Sequence, residues 1–177
     1  YFKKLKALCE ENNILLIADE IQTGIGRTGY MFAMEYYGVE ADITTTAKSL
    51  AAGMPLSAVV GKKEIMDVVH PAGIGGTYGG NPLGAAVARE ALKVLVDEKL
   101  VENSATMGAY LQAELAKLPM DNIEDIRGRG LWIGLEIKKS SGSARPYCEA
   151  LQESGILAKE THDQVVRIAP PLVITKE

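Results

Sequence analysis

The run Ile14-Leu15-Leu16-Ile17-Ala18 is apolar at every position and stops at two carboxylates, Asp19 and Glu20. An unbroken apolar run of this length reads as a strand buried on both faces, the kind found in parallel sheets covered by helices. A charge at the carboxyl end of such a strand points into the crevice where α/β folds bind ligands. A second strand-like run, Asp42-Ile43-Thr44-Thr45-Thr46-Ala47, leads to Lys48. The small-residue stretch Ser49-Leu50-Ala51-Ala52-Gly53-Met54-Pro55 follows it. One strand therefore offers an acid and the next a lysine.

The rest of the first hundred residues alternates helix and strand. The pattern predicts helix 1–12, strand 14–18, a glycine-rich loop 23–30, a short helix near 31–37, and strands 42–46 and 57–61. A second glycine-rich loop covers 73–80, and Asn81-Pro82 opens a long helix with Leu83, Val87, Ala91, Leu92 and Leu95 at helical spacing. Alternation of this kind argues for an α/β sheet, mostly parallel. From Val101 the order changes. A helix runs through Met107, Leu111, Leu115 and Leu118 to Pro119. Strand 131–137, a loop 138–142, helix 146–154 capped by Gly155, and short strands at 156–158 and 165–168 come after it. The expectation is an α+β unit over 101–177, with a boundary in the region 100–125.

Composition narrows the function classes. Of 177 residues 47% are apolar, enough for a real core, and the net charge of −4 with no basic stripe argues against nucleic acid. No apolar run approaches the roughly 20 residues of a membrane span, and the expectation is that no signal peptide precedes the first helix. Cys9 and Cys148 read as buried free thiols of a reducing compartment, the cytoplasm or, in a eukaryote, the mitochondrial matrix. The histidines, His70 and His162, read as loop residues without metal-ligand spacing. The chain starts at Tyr1 inside an amphipathic helix and stops at Glu177 just after Thr175, which reads as a helix cap. Both ends therefore read as cuts in a longer protein.

Several motifs carry chemistry beside a plainer reading. Gly24-Ile25-Gly26-Arg27-Thr28-Gly29 fits the G-x-G-x-x-G of dinucleotide-binding folds. Its setting is wrong, because five residues separate it from the strand and no helix is expected to begin inside it. Lys48 alone reads as a solvated lysine, but its small apolar neighbours leave room for a ligand and little water. Asp19 alone reads as the cap of a turn. Together they suit pyridoxal phosphate, whose aldehyde takes a lysine and whose pyridine nitrogen takes a carboxylate. Gly75-Gly76-Thr77-Tyr78-Gly79-Gly80 reads either as a flexible loop or as a phosphate contact ahead of a helix amino terminus. Arg167 stands in the apolar run Val165-Val166-Arg167-Ile168-Ala169, where a charge must be paired or face a cavity. A substrate carboxylate matches its guanidinium bidentately.

These stretches resemble the class III pyridoxal-phosphate-dependent aminotransferases of fold type I. The resemblance rests on Ile17-Ala18-Asp19-Glu20-Ile21-Gln22-Thr23-Gly24 and the glycine motif after it, on Ala47-Lys48-Ser49-Leu50 with Gly53 and Pro55, and on Gly76-Thr77-Tyr78-Gly79-Gly80-Asn81-Pro82-Leu83. Arg127-Gly128-Arg129-Gly130-Leu131 and Arg167-Ile168-Ala169-Pro170-Pro171-Leu172 complete it, in family order over essentially the whole chain.

The resemblance implies that residues 1–100 are the second half of the cofactor-binding large domain. Residues 101–177 would be the small carboxyl-terminal domain, truncated at its end. It implies that Asp19 pairs with the pyridine nitrogen, Gln22 with the ring hydroxyl, and that Lys48 carries the cofactor. Thr77 would reach the phosphate of the neighbouring subunit's cofactor in a homodimer with shared sites, and Arg167 would bind the carboxylate of a 2-oxo acid. The implied reaction moves a terminal amino group to 2-oxoglutarate by a ping-pong route. The stretch around Lys48 is similar to 4-aminobutyrate aminotransferases, while the opening helix and residues 158–174 are similar to ornithine aminotransferases. The reading adopted is ornithine, with 4-aminobutyrate or acetylornithine as alternatives. A dinucleotide-binding domain and a non-catalytic fragment of the same fold are the readings from other classes. The family's phosphate loop and ring-stacking aromatic have no counterpart here, so this segment alone is not expected to catalyse.

Overall fold

The structure, a computed structural model, describes residues 1–73, 75–77 and 79–177. Ile74 and Tyr78 lie outside the described residues, and with them the Tyr78 position of the second glycine-rich motif. The chain forms two compact units. The first holds Tyr1–Gly26 and Tyr30–Leu100, and the second holds Arg27–Gly29 and Val101–Glu177.

The first unit is built on three strands, β1 (Ile17–Asp19), β2 (Ile43–Thr46) and β3 (Ala58–Gly61), in the order β1-β2-β3. The β1–β2 pair is parallel and the β2–β3 pair antiparallel, with Asp19 opposite Thr45 and Thr46 opposite Ala58. Helices α1 (Phe2–Glu11), α2 (Ala33–Tyr36), α3 (Lys63–Met66) and α4 (Pro82–Asp97) belong to the same unit. Asn81 starts α4 as expected. Its side-chain oxygen accepts from the N–H of Leu83 at 3.1 Å and of Gly84 at 3.4 Å, and Pro82 occupies the first turn.

Strand β1 begins three residues later than the apolar run suggests. The cause is Asp42, whose Oδ2 accepts from Leu16 N–H at 2.8 Å while its own N–H donates 2.9 Å to Leu16 O. Leu16 is therefore tied to a side chain, and regular pairing starts at Ile17. The strand is also buried on one face only: Ala18 is buried, whereas Ile17 and Asp19 are exposed.

The Asp42 carboxylate is a polar anchor of this unit. Lys6 from α1 and Lys62 ahead of α3 each place Nζ 2.7 Å from Oδ1. These two ammonium groups and the Leu16 N–H hold the Asp42 carboxyl well below the usual carboxylate range. A carboxylate whose acidity is enhanced by folding stabilises the native state above its unfolded value, here the ordinary 3.8, and that contribution is lost as pH falls towards the folded value. In the whole protein, Asp42→Asn is expected to cost on the order of 3 kcal/mol at neutral pH. Chemical denaturation at a series of pH values should show the deficit shrinking below that ordinary value. A deficit independent of pH would contradict the assignment.

The second unit is a four-stranded antiparallel sheet, β4 (Ile123–Arg129), β5 (Trp132–Ile137), β6 (Lys159–Thr161) and β7 (Val165–Ile168), in the order β4-β5-β7-β6. Alternate residues of β5 (Ile133, Leu135 and Ile137) enter a core with Ile123, Val166, Ala144 and Cys148. Helices α5 (Leu100–Leu115) and α6 (Arg145–Glu153) add Leu111, Leu115, Tyr147 and Leu151 to it. Both cysteines are buried and unbridged.

One strand of this unit is unexpected and one is displaced. Strand β4 lies partly in the expected boundary region, where Glu124, Asp125, Arg127 and Arg129 hide its strand character. As an edge strand it exposes most of its positions and carries a bulge between Ile123 and Asp125. The strand expected at 156–158 forms instead at 159–161. The Ile156 N–H turns back to Leu151 O at 2.8 Å, closing the end of α6 and leaving Leu157 86% exposed.

The segment Arg27–Gly29 has its own reason to join this unit. The Arg27 guanidinium donates to Leu131 O at 3.0 Å and to Pro170 O at 2.5 Å, and burial lowers its pKa. Fully buried Ser104 donates to Arg27 O at 3.1 Å and accepts from Leu131 N–H at 3.2 Å. Gly130 (φ 50°) passes so close that a Cβ there would lie 2.5 Å from Gly29 N, so only glycine fits.

Candidate functional site

Lys48 follows β2 through a sharp change of backbone direction. Ala47 is extended, Lys48 is left-handed at φ 46°, and a single 3₁₀ turn, Lys48–Ala51, follows. A non-glycine residue in this region is strained by roughly 1 kcal/mol and persists only where its surroundings demand it. Here the buried side chains of Leu50 and Ala51 anchor the turn, and α4 packs against it. Lys48 is left pointing outward.

Its amine has a specific partner. Lys48 Nζ donates 2.7 Å to Gln22 Oε1, across 26 residues of sequence. Asp19 stands at the end of the neighbouring parallel strand, with Oδ1 accepting from Ile21 N–H at 3.1 Å. Among the described residues its other oxygen has no partner. The carboxyl ends of β1 and β2 thus carry an amine, an amide oxygen and a carboxylate with an open lone pair. The expected enclosure of Lys48 by small residues is not found in this chain, where it is exposed.

Two residues before Lys48, Thr46 is 3% exposed and its hydroxyl has no hydrogen-bond partner among the described residues. An unpaired buried hydroxyl costs about 1–3 kcal/mol. Thr46→Val, which removes the hydroxyl and keeps the shape, is therefore expected to raise the stability of the whole protein by about 1 kcal/mol, read from its denaturation midpoint. A loss of stability would mean that a segment beyond these residues supplies a partner.

Thr77 is exposed in the second glycine-rich loop. Gly79 N–H donates 2.9 Å to Gly76 O, and Gly76, Thr77 and Gly79 line a pocket with Leu56, Ser57 and Met66. Arg167 lies on β7 opposite Gly134 of β5 and Lys159 of β6. It lines an open pocket of about 320 Å³ with Arg127, Trp132, Thr161 and His162. The Arg127 guanidinium is held by Asp125 at 2.9 Å and Glu136 at 2.5 Å, whereas no carboxylate contacts Arg167 among the described residues. The structure thus places Asp19 at the carboxyl end of β1 and joins Gln22 and Lys48 beyond the ends of β1 and β2, while Arg167 lies in the second unit.

The dinucleotide reading finds no support in the geometry. Gly24-Ile25-Gly26 forms turns with Ile25 at φ 56°, and the next helix begins at Ala33, outside the motif. Glu20, the second carboxylate at the end of the apolar run, has no role in the family resemblance, and alternation marks its place. It follows Asp19 and so faces the other side, where it is buried. No group of three or more metal-binding side chains gathers among the described residues, and no helix there is long and apolar enough to cross a membrane.

Known proteins match this chain over its whole length. The ornithine aminotransferase of Staphylococcus carnosus is 53% identical over 178 residues, which cover all of this chain and 44% of that protein. That of Staphylococcus epidermidis is 49% identical over the same share. Among solved structures, the ornithine aminotransferase of Toxoplasma gondii matches 99% of this chain and 43% of its own, with a TM-score of 0.94 and 44% identity. That structure is described as having partial occupancy of PLP at its active site. The acetylornithine aminotransferase of Elizabethkingia anophelis matches 98% of this chain and 44% of its own, with a TM-score of 0.91 and 46% identity. The chain spans less than half the length of these relatives, and it has the mixed α/β structure of fold type I. The family described as Aminotransferase class-III matches residues 1–177, and the chain belongs to that family.

Proposed function

We propose that the whole protein is a pyridoxal-phosphate-dependent aminotransferase that moves the terminal amino group of ornithine, or a similar amine, to 2-oxoglutarate in two half-reactions. The observation that carries this reading is the 2.7 Å contact of Lys48 Nζ with Gln22 Oε1 beside Asp19, at the carboxyl ends of two parallel strands. The donor set fits the cofactor. A primary amine can condense with an aldehyde, an amide can meet a phenolic oxygen, and a carboxylate with an open oxygen can accept a pyridinium N–H. When bound, pyridoxal phosphate supplies an electron-withdrawing ring and a carbonyl that exchanges oxygen for nitrogen.

The chain's own residues supply the rest. Asp19 holds the ring nitrogen protonated through its free oxygen. Gln22 orients the ring through its hydroxyl. Lys48 Nζ would hold the cofactor through its aldehyde and would move the proton at the carbon bearing the transferred nitrogen. Arg167 binds the carboxylate of the 2-oxo acid, and Thr77 serves the cofactor phosphate of a partner subunit in a homodimer. Residues 1–100 belong to the cofactor-binding domain and 101–177 to the small domain of a cytoplasmic enzyme. Ornithine is preferred over 4-aminobutyrate because the relatives above at 53% and 49% identity are ornithine aminotransferases. The test is glutamate formation from 2-oxoglutarate with ornithine, N-acetylornithine or 4-aminobutyrate as donor. Ornithine should give the highest kcat/KM, and a clear preference for another donor would replace this substrate reading.

A further inference from the structure

The proposed function leaves Glu20 without a task, although it follows Asp19 directly and is 2% exposed. A buried carboxylate is unfavourable unless its lone pairs are filled. Here neutral donors fill them. The Thr23 hydroxyl donates to Oε2, and Met34 N–H donates 2.9 Å to Oε1. The backbone of Glu20 is equally tied: its N–H donates 2.9 Å to Thr45 O on β2, and its carbonyl accepts from Gly24 N–H at 2.9 Å. One residue therefore joins β2, the turn after β1 and the start of α2.

Gln22 sits inside this clamp, between Glu20 on one side and Thr23 and Gly24 on the other. Its side chain makes a single hydrogen bond among the described residues, the one from Lys48 Nζ. That bond holds the amide, and the backbone that carries Gln22 to it is tied down by Glu20. A displacement of about 1 Å at a reacting group costs up to roughly a hundredfold in rate. We propose that Glu20 is a positioning residue: through the Thr23 hydroxyl and the Met34 N–H it holds Gln22 under the Lys48 amine, so that the amine is presented to the cofactor aldehyde. This rests on the reading of Lys48 as the cofactor-bearing lysine.

The test uses the whole protein stripped of cofactor, with pyridoxal phosphate added and its uptake followed by absorbance. Glu20→Ala is expected to slow capture about ten- to hundredfold and to lower kcat with little change in the donor's KM. Glu20→Gln is expected to stay within about threefold of wild type, because its carbonyl still accepts from Met34 and its amide can donate to the Thr23 hydroxyl. Wild-type capture by Glu20→Ala would overturn the proposal. So would a Glu20→Gln variant as slow as the alanine variant, since geometry rather than charge is invoked. Should Glu20→Ala fail to fold, Thr23→Val removes one of the two donors. Slower capture then supports the proposal and unchanged capture overturns it. A Lys48→Ala protein that captures cofactor as wild type does would sink the cofactor reading, and this proposal with it.

Discussion

Lys48→Ala in the whole protein is expected to abolish the absorbance of covalently held pyridoxal phosphate and to reduce turnover by about a thousandfold or more. The loss is so large because one amine does two jobs. In the proposed role it would both anchor the cofactor and move the proton at the carbon where nitrogen is exchanged. Alanine keeps neither. The φ of 46° at Lys48 also passes to an alanine without new strain, since both residues carry a Cβ, so the variant should fold. Borohydride treatment provides a readout apart from turnover: it should fix a pyridoxyl group to the wild-type protein and leave none on the variant. A variant that retained both the absorbance and the turnover would end the aminotransferase reading and leave a binding protein on the same fold.

Arg167→Ala should show the second-largest effect, confined to one half of the cycle. The guanidinium stands in strand β7, lines a pocket, and meets no carboxylate among the described residues. An anion arriving there would gain a bidentate, charge-assisted contact in a partly desolvated place. Losing that contact costs on the order of 2–4 kcal/mol, or about 30- to 1,000-fold in kcat/KM. The loss should fall on the half-reaction with 2-oxoglutarate and glutamate. The ornithine half-reaction should change less, if the donor's own carboxylate is held by other residues. Single-turnover measurements of the two half-reactions separate these outcomes, and equal losses in both would contradict the role given to Arg167.

Much of this was legible in the order of residues because it depends on local chemistry. A strand end is marked where a strand-like run meets Asp19 or leads to Lys48. A helix start is marked where Asn81 precedes Pro82, and the structure caps α4 with that asparagine. The run Val165-Val166-Arg167-Ile168 became β7 with its expected bounds. Class III membership was readable for the same reason, since its motifs are short and contiguous.

What stayed hidden depends on residues far apart in sequence. Nothing local to Leu16 says that Asp42, 26 positions later, will capture its N–H and delay β1. Nothing near Gln22 announces Lys48 as its partner, nor the left-handed backbone that Leu50 and Ala51 impose by burying themselves. Strand β4 was missed because its charged side chains suit an edge, and an edge exists only once β5 has paired beside it. Glu20 shows the limit most plainly. The sequence places it next to Asp19, but whether a carboxylate ends in solvent or between two neutral donors is decided by which face of the strand becomes buried.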